Sequence, residues 1–238
     1  MTYMRSRARN EFETKVTHAT RELVPLYQHA QTHGGGSRLL AAYYVLAYAE
    51  LEVYLRTLVE DSLAALNSSS PSFDKIPDSM LGYLLHRGEK LAGNYRRFSI
   101  DDDEGAVVKK VAQTAKKIAS WSNGAAILTS ADANDFLDKK TYPSPKNLPQ
   151  LFRRLGVESI WPVIDRVGRM NCKLILTSLN DLRTGIAHQG RVSPGFSLID
   201  FRDRLDQMCR FVAALDRGIS SHFCPRMITR TDWNVSMT

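Results

Sequence analysis

Residues 37–66 read SRLLAAYYVLAYAELEVYLRTLVEDSLAAL. The spacing predicts one helix over this stretch, with Ser37 as its cap. Leu39, Leu40, Tyr43, Tyr44, Val45, Leu46, Tyr48, Leu51, Val53, Tyr54, Leu55, Leu58 and Val59 cover nearly its whole circumference. A helix that is apolar all round belongs at the centre of a bundle, not on its surface. Glu50 and Glu52 interrupt the apolar cover, and the Ser-rich run from Asn67 to Pro71 ends it.

The segments on either side are also helical in pattern. Upstream, Phe12, Val16, Ala19, Leu23, Leu26 and Ala30 form one stripe over Glu11 to Gln31, with a kink or an end expected at Pro25. Downstream, Ile160 to Leu182 carries a second long amphipathic stripe, with Pro162 in its first turn. Asn147 is expected to cap a short helix that Gly156 ends. Ser197 and Asp200 form a capping pair before a helix over Leu198 to Arg217, with Ile199, Leu205, Met208, Phe211, Val212 and Leu215 facing the core. Strand alternation is rare and no repeat is present. These patterns predict an all-α antiparallel helical bundle in a single domain over residues 1–238. Residues 72–142 read as a helical insertion, with helical spacing over Met80 to Tyr95, Val107 to Trp121 and Asp132 to Lys139, followed by a linker from Tyr142 to Pro145. Residues 220–238 lack periodicity and read as a loose or docked tail.

Composition narrows the function classes. The chain has 32 basic and 25 acidic residues, a net charge of +7, which suits a polyanionic partner such as RNA without requiring one. The three cysteines, Cys172, Cys209 and Cys224, have no CxxC spacing, which argues against a disulfide framework or a zinc site. Cys172 and Cys209 read as core. The charged opening from Met1 to Glu13 does not read as a leader, and no apolar run reaches the roughly 20 residues a bilayer needs. The expectation is a cytoplasmic protein with no membrane partner, no metal and no cofactor.

One segment carries chemistry. Residues 179–190 read LNDLRTGIAHQG, placing Arg183 five residues before His188. Arg can hold a phosphate through two parallel hydrogen bonds, and His can move a proton near neutral pH. Together they suit RNA cleavage without a metal: His acts on the 2′-hydroxyl or the leaving oxygen, and Arg stabilises charge developing on phosphorus. On a straight helix, however, residues five apart point about 140° from each other. Gly185 weakens the helix and permits a bend. The pair therefore sits at a bent helix end, or is completed by a second copy across a two-fold axis.

This segment, with Leu51-Glu52-Val53-Tyr54 in the early helix, resembles the HEPN superfamily (higher eukaryote and prokaryote nucleotide-binding). The resemblance runs from about Ser37 to Arg217, with specific matches in those two segments alone. The Arg, the polar residue after it and the His of ribonuclease members correspond to Arg183, Thr184 and His188. Asn is commoner at the position of Thr184. The resemblance implies an all-α bundle that forms homodimers, with two Arg–His motifs making one composite cleft. It also implies metal-independent endoribonuclease activity that leaves 2′,3′-cyclic phosphate and 5′-hydroxyl ends. Such members act in toxin–antitoxin, abortive-infection and antiviral systems, so an antitoxin or defence-system partner protein is a further expectation. Degenerate members instead bind RNA, nucleotide or protein without catalysis.

Supporting residues are open between two readings. Asn180 orients Arg183 or touches RNA, or is merely an exposed polar residue. Asp181 pairs with Arg183 or another cation. Glu52 positions the motif, or is a buried carboxylate in a structural ion pair. Tyr43, Tyr44, Tyr48 and Tyr54 read better as core than as base-stacking rings. His18, His29, His33, His86 and His222 read as surface residues.

Overall fold

The computed structural model describes residues 2–84, 86, 133–137, 142–224 and 226–238. The described residues are all-helical, without strands. The expected helices over Val107 to Trp121 and beyond residue 86 in Met80 to Tyr95 lie outside the described residues. So does most of the expected insertion.

Helix α1 (Arg7–Thr32) begins at Ser6, whose side chain accepts from the Arg9 amide. It runs through Pro25 without ending there. Phe12, Val16 and Leu23 are buried as expected, but Leu26 is exposed. Helix α2 (Gly36–Ser69) starts one residue before Ser37, at a Gly35 cap with no side-chain bond, so Ser37 does not cap it. Its carbonyl instead accepts from the Val192 amide at 3.4 Å. Ion pairs join Lys15 to Glu50 and Arg7 to Asp61, both at 2.8 Å. Early α1 thus meets late α2, as in an antiparallel hairpin.

Helix α2 is the centre of the bundle, and Tyr44, Tyr48, Tyr54, Leu51, Leu55 and Leu58 are buried on it. Its burial is not circumferential: Leu46 is 59 % and Val53 is 46 % exposed. A short helix α3 (Ala133–Leu137) falls inside the expected Asp132 to Lys139 segment. In α4 (Asn147–Arg154) the cap role passes from Asn147 to Ser144, whose hydroxyl accepts from the Asn147 amide at 3.1 Å.

The expected helix over Ile160 to Leu182 is two helices, α5 (Ile160–Gly168) and α6 (Cys172–Gln189). Arg169 adopts a left-handed conformation with φ of 53°, which ends α5. The Asn171 side chain then accepts from the Leu174 amide at 2.8 Å and starts α6. Asp165 accepts from the Cys172 amide at 2.8 Å and straps the two together. The apolar spacing stays in phase across this break, so periodicity does not reveal it.

Helix α7 (Leu198–Phe223) opens on the expected Ser197–Asp200 capping box. It extends six residues past Arg217, and Ile199, at 70 % exposure, is not a core residue. The remaining expected core positions are buried. The C-terminal segment is no loose tail. Helix α8 (Arg230–Met237) buries Trp233, Asn234 and Met237, and the Asn234 amide donates to the Thr2 carbonyl at 3.0 Å. The two ends of the chain therefore meet on the bundle.

Cys172 and Cys224 are buried and Cys209 partly so. His222 is partly buried rather than superficial: its Nε2 donates to the Gly156 carbonyl at 3.2 Å. Burial and the nearby Arg226 lower its pKa. Among the described residues no helix is long and apolar enough to cross a membrane.

Candidate functional site

The inner seam of α6 runs through Leu176, Leu179 and Ile186, all buried. Arg183 lies four residues after Leu179 and three before Ile186, so it continues that seam and is half-buried. The turn that carries it is pinned from α2, where the buried Tyr44 hydroxyl donates to the Leu179 carbonyl at 2.8 Å. A second strap comes from α7: Arg204 donates to the Ser178 hydroxyl at 2.7 Å.

Helix α6 runs unbroken through Gly185. It ends at Gly190, whose φ of 66° is left-handed and whose amide donates to the Ile186 carbonyl at 2.7 Å. The bend expected at Gly185 does not interrupt the helix. His188 stands in the last turn, exposed, with no hydrogen-bond or ionic partner among the described residues. On one continuous helix the angular offset of about 140° therefore stands, and one chain points Arg183 inward and His188 outward.

What surrounds Arg183 comes from the expected linker. Its guanidinium carbon lies 5.0 Å from the centre of the Tyr142 ring, a cation–π contact. The Tyr142 hydroxyl donates to Asn180 Oδ1 at 2.5 Å. The Tyr142 ring also packs against Tyr48, centroids 5.7 Å apart. Tyr48 in turn donates to the Pro143 carbonyl at 2.5 Å, and the Asn147 side-chain amide donates to the Tyr142 carbonyl at 3.2 Å. Tyr142 is thus held at its ring, its hydroxyl and its backbone. A Tyr between two helical patterns gives no local sign of this contact. Its neighbour Pro143 signals only the linker.

Asn180 therefore acts through Tyr142: it anchors the ring on which Arg183 rests. Glu52 faces Arg183 from α2 at a distance too long for an ion pair. Burial raises the Glu52 pKa, and Arg183 partly offsets that rise. Asp181 and Thr184 are exposed. Asp181 forms no ion pair with Arg183 or another cation among the described residues, because none of the ion pairs there includes it. Among the described residues no group of three or more His, Cys, Asp or Glu is placed to hold a metal ion. Tyr44, Tyr48 and Tyr54 are core residues, and Tyr43 packs against the core.

Two measurements bear on this arrangement. Tyr142→Phe keeps the ring under Arg183 but loses the bond to Asn180, whereas Tyr142→Ala loses both. A cation–π contact contributes about 0.5–2 kcal/mol. The expected order of melting temperature is wild type, then Phe, then Ala. Equal melting temperatures for all three would deny these contacts any hold on the fold.

The second concerns Glu52, whose raised folded-state pKa means that ionising it costs the folded protein more than the unfolded chain. That cost is present at neutral pH and vanishes as pH falls below the unfolded value of about 4.3. Glu52→Gln is therefore expected to melt above wild type at neutral pH, with the gap closing in acid. A melting-temperature difference that is independent of pH would contradict it.

The family model described as RiboL-PSP-HEPN matches residues 15–221. No curated protein and no solved structure matches the chain. The matched span runs from the third turn of α1 to the last turn of α7. It contains both the Leu-Glu-Val-Tyr segment of α2 and the Arg–His segment of α6. With an all-helical bundle built around these two helices, the chain belongs to the RiboL-PSP-HEPN family of the HEPN superfamily.

Proposed function

We propose that this protein is a homodimeric endoribonuclease whose cleft takes Arg183 from one copy and His188 from the other. The observation that carries this reading is their placement on one unbroken helix. Arg183 has no carboxylate ion pair among the described residues, so its guanidinium edge is free to receive a phosphate. His188 is exposed and unbonded among the described residues. Neither can serve the other within a chain, and a two-fold axis near the end of α6 supplies the missing half.

A second feature favours dimerisation. Ala42, Leu46, Ala49 and Val53 are exposed and follow i, i+4, i+7, i+11 spacing on α2. This leaves one apolar stripe uncovered, beside Glu52.

The chemistry follows from the groups. One His188 takes the proton of the ribose 2′-hydroxyl as that oxygen attacks phosphorus. The phosphorus–O5′ bond breaks, and the imidazolium so formed returns its proton to O5′, directly or through water, completing a 5′-hydroxyl. The other product is a 2′,3′-cyclic phosphate. Arg183 stabilises the charge on the non-bridging oxygens. Asn180 and Tyr142 hold Arg183, Glu52 balances its charge, and Asp181 and Thr184 line the exposed approach to RNA. Such an activity fits a toxin or antiviral effector restrained by a partner protein.

The test is incubation of the purified protein with single-stranded RNA in EDTA, with the product ends mapped. Cyclic phosphate and 5′-hydroxyl ends are expected. Cleavage that returns only with a divalent ion would overturn the metal-independent route. RNA binding with steep salt dependence but no cleavage would replace it with a non-catalytic HEPN module that binds RNA, nucleotide or a partner protein.

A further inference from the structure

At the other end of α6 from His188 lies a pocket of about 190 Å³. Arg9 of α1 and Arg210 and Arg217 of α7 line it, with Gly168, Met170 and Ala213 as apolar walls. Arg210 and Arg217 are seven residues apart, two turns of one helix face. Ala213 between them leaves the space open. Gly168 allows the wall to close: a Cβ there would meet the Ala214 Cβ at 2.8 Å. The end of α5 is therefore packed closely against α7, the helix that carries Arg210 and Arg217.

The charges in this pocket are not balanced. Arg9 is nearly buried, 11 % exposed at its side chain, and bonds Glu13 through Nε at 2.6 Å. Its Nη1 donates to the Tyr3 hydroxyl at 3.3 Å. Glu13 is shared with Arg5, at 2.8 Å. Asp216 is occupied by the Tyr3 hydroxyl and the Ser6 amide. Arg217 lies over the Tyr3 ring, 5.3 Å from its centre, and has no carboxylate partner among the described residues. Arg210 has no ionic partner among the described residues, although Asp206 is one turn away. The last residues of α5, Val167 and Gly168, line the same pocket, and the carbonyl end of a helix favours positive charge. No hydrogen bond joins any of the three to the last carbonyls of α5 among the described residues.

Three arginines lining one small concave site, of which only Arg9 bonds a carboxylate, present charged N–H donors of the kind a phosphate accepts from. We propose that this pocket binds a phosphate group, carried either by a small ligand or by RNA at a point distant from the cleft. Cys172 to His188 spans about 24 Å along α6, so the pocket is separate from the candidate cleft. The inference does not depend on the ribonuclease reading.

The experiment uses the full chain carrying His188→Ala, so that RNA stays intact. Pyrophosphate and a short oligouridylate are titrated separately into this protein and into the same protein with Arg210→Ala and Arg217→Ala added. Each lost charge-assisted bond is expected to weaken binding about tenfold. Weakened pyrophosphate binding supports the site with a small phosphate ligand. Weakened RNA binding alone supports it with backbone phosphate as the source. Adding Arg153→Ala instead, an exposed arginine of α4 outside both sites, should leave pyrophosphate affinity unchanged, which separates loss of the pocket from a general loss of positive charge. Unchanged affinity for both probes in the Arg210/Arg217 double variant would overturn the proposal and leave the arginines as partners of the α5 end.

Discussion

His188→Ala is expected to lower RNA cleavage by about 10²–10⁴-fold, the usual contribution of a positioned acid or base. Because His188 is exposed and bonds nothing among the described residues, its loss should change stability by less than about 0.5 kcal/mol. Arg183→Ala is expected to cost about 10²–10³-fold through lost charge stabilisation, with some loss of stability as Tyr142 gives up its cation. The decisive measurement mixes the two. If the cleft takes Arg from one copy and His from the other, a heterodimer of the two variants retains one intact Arg–His pair. Activity then returns on mixing, up to about half of wild type per heterodimer in a two-site arrangement. Mixtures that stay as inactive as the separate variants, although heterodimers form, would show that each chain acts through its own pair.

Trp233→Ala is the substitution expected to cost most in stability. Trp233 is 2 % exposed, and its ring lies 5.6 Å from Phe223 at the end of α7. Truncating a buried large aromatic costs about 3–5 kcal/mol, a large share of the roughly 5–15 kcal/mol that holds a domain folded. The neighbouring Val235 is 76 % exposed, so Val235→Ala is the control, expected within about 0.5 kcal/mol. Denaturant unfolding measures both. A loss below about 1 kcal/mol at Trp233 would mean that α8 is not docked on the bundle.

Trp233 also shows where reading the chain in one dimension stops. Residues 220–238 have no clean 3.6-residue period because α8 is only eight residues long and packs against α2, the end of α7 and the residues that precede α1. Ile199 is a different case: nine residues before Met208, it lies about 180° around the helix from it, so the spacing itself turns it away from the core, and Phe201 takes the buried face of the first turn. The division at residues 169–171 is a related case, because apolar phase survives across a left-handed residue and a fresh cap. In hindsight Gly168 and Asn171 were its marks.

The sequence by itself determined the helical class, the central place of α2, the Ser197–Asp200 cap and the position of Arg183 and His188 near the end of a helix. These follow from spacing and from local backbone chemistry, which neighbouring residues carry. Only the tertiary structure decided that Arg183 turns inward onto Tyr142 while His188 turns out, and that α6 passes straight through Gly185. It alone placed Asn180 behind Tyr142, docked α8 against the bundle, and gathered Arg9 with Arg210 and Arg217. Those facts depend on contacts between residues 38 to more than 200 positions apart. No local pattern encodes such contacts, because they are selected by how whole helices pack.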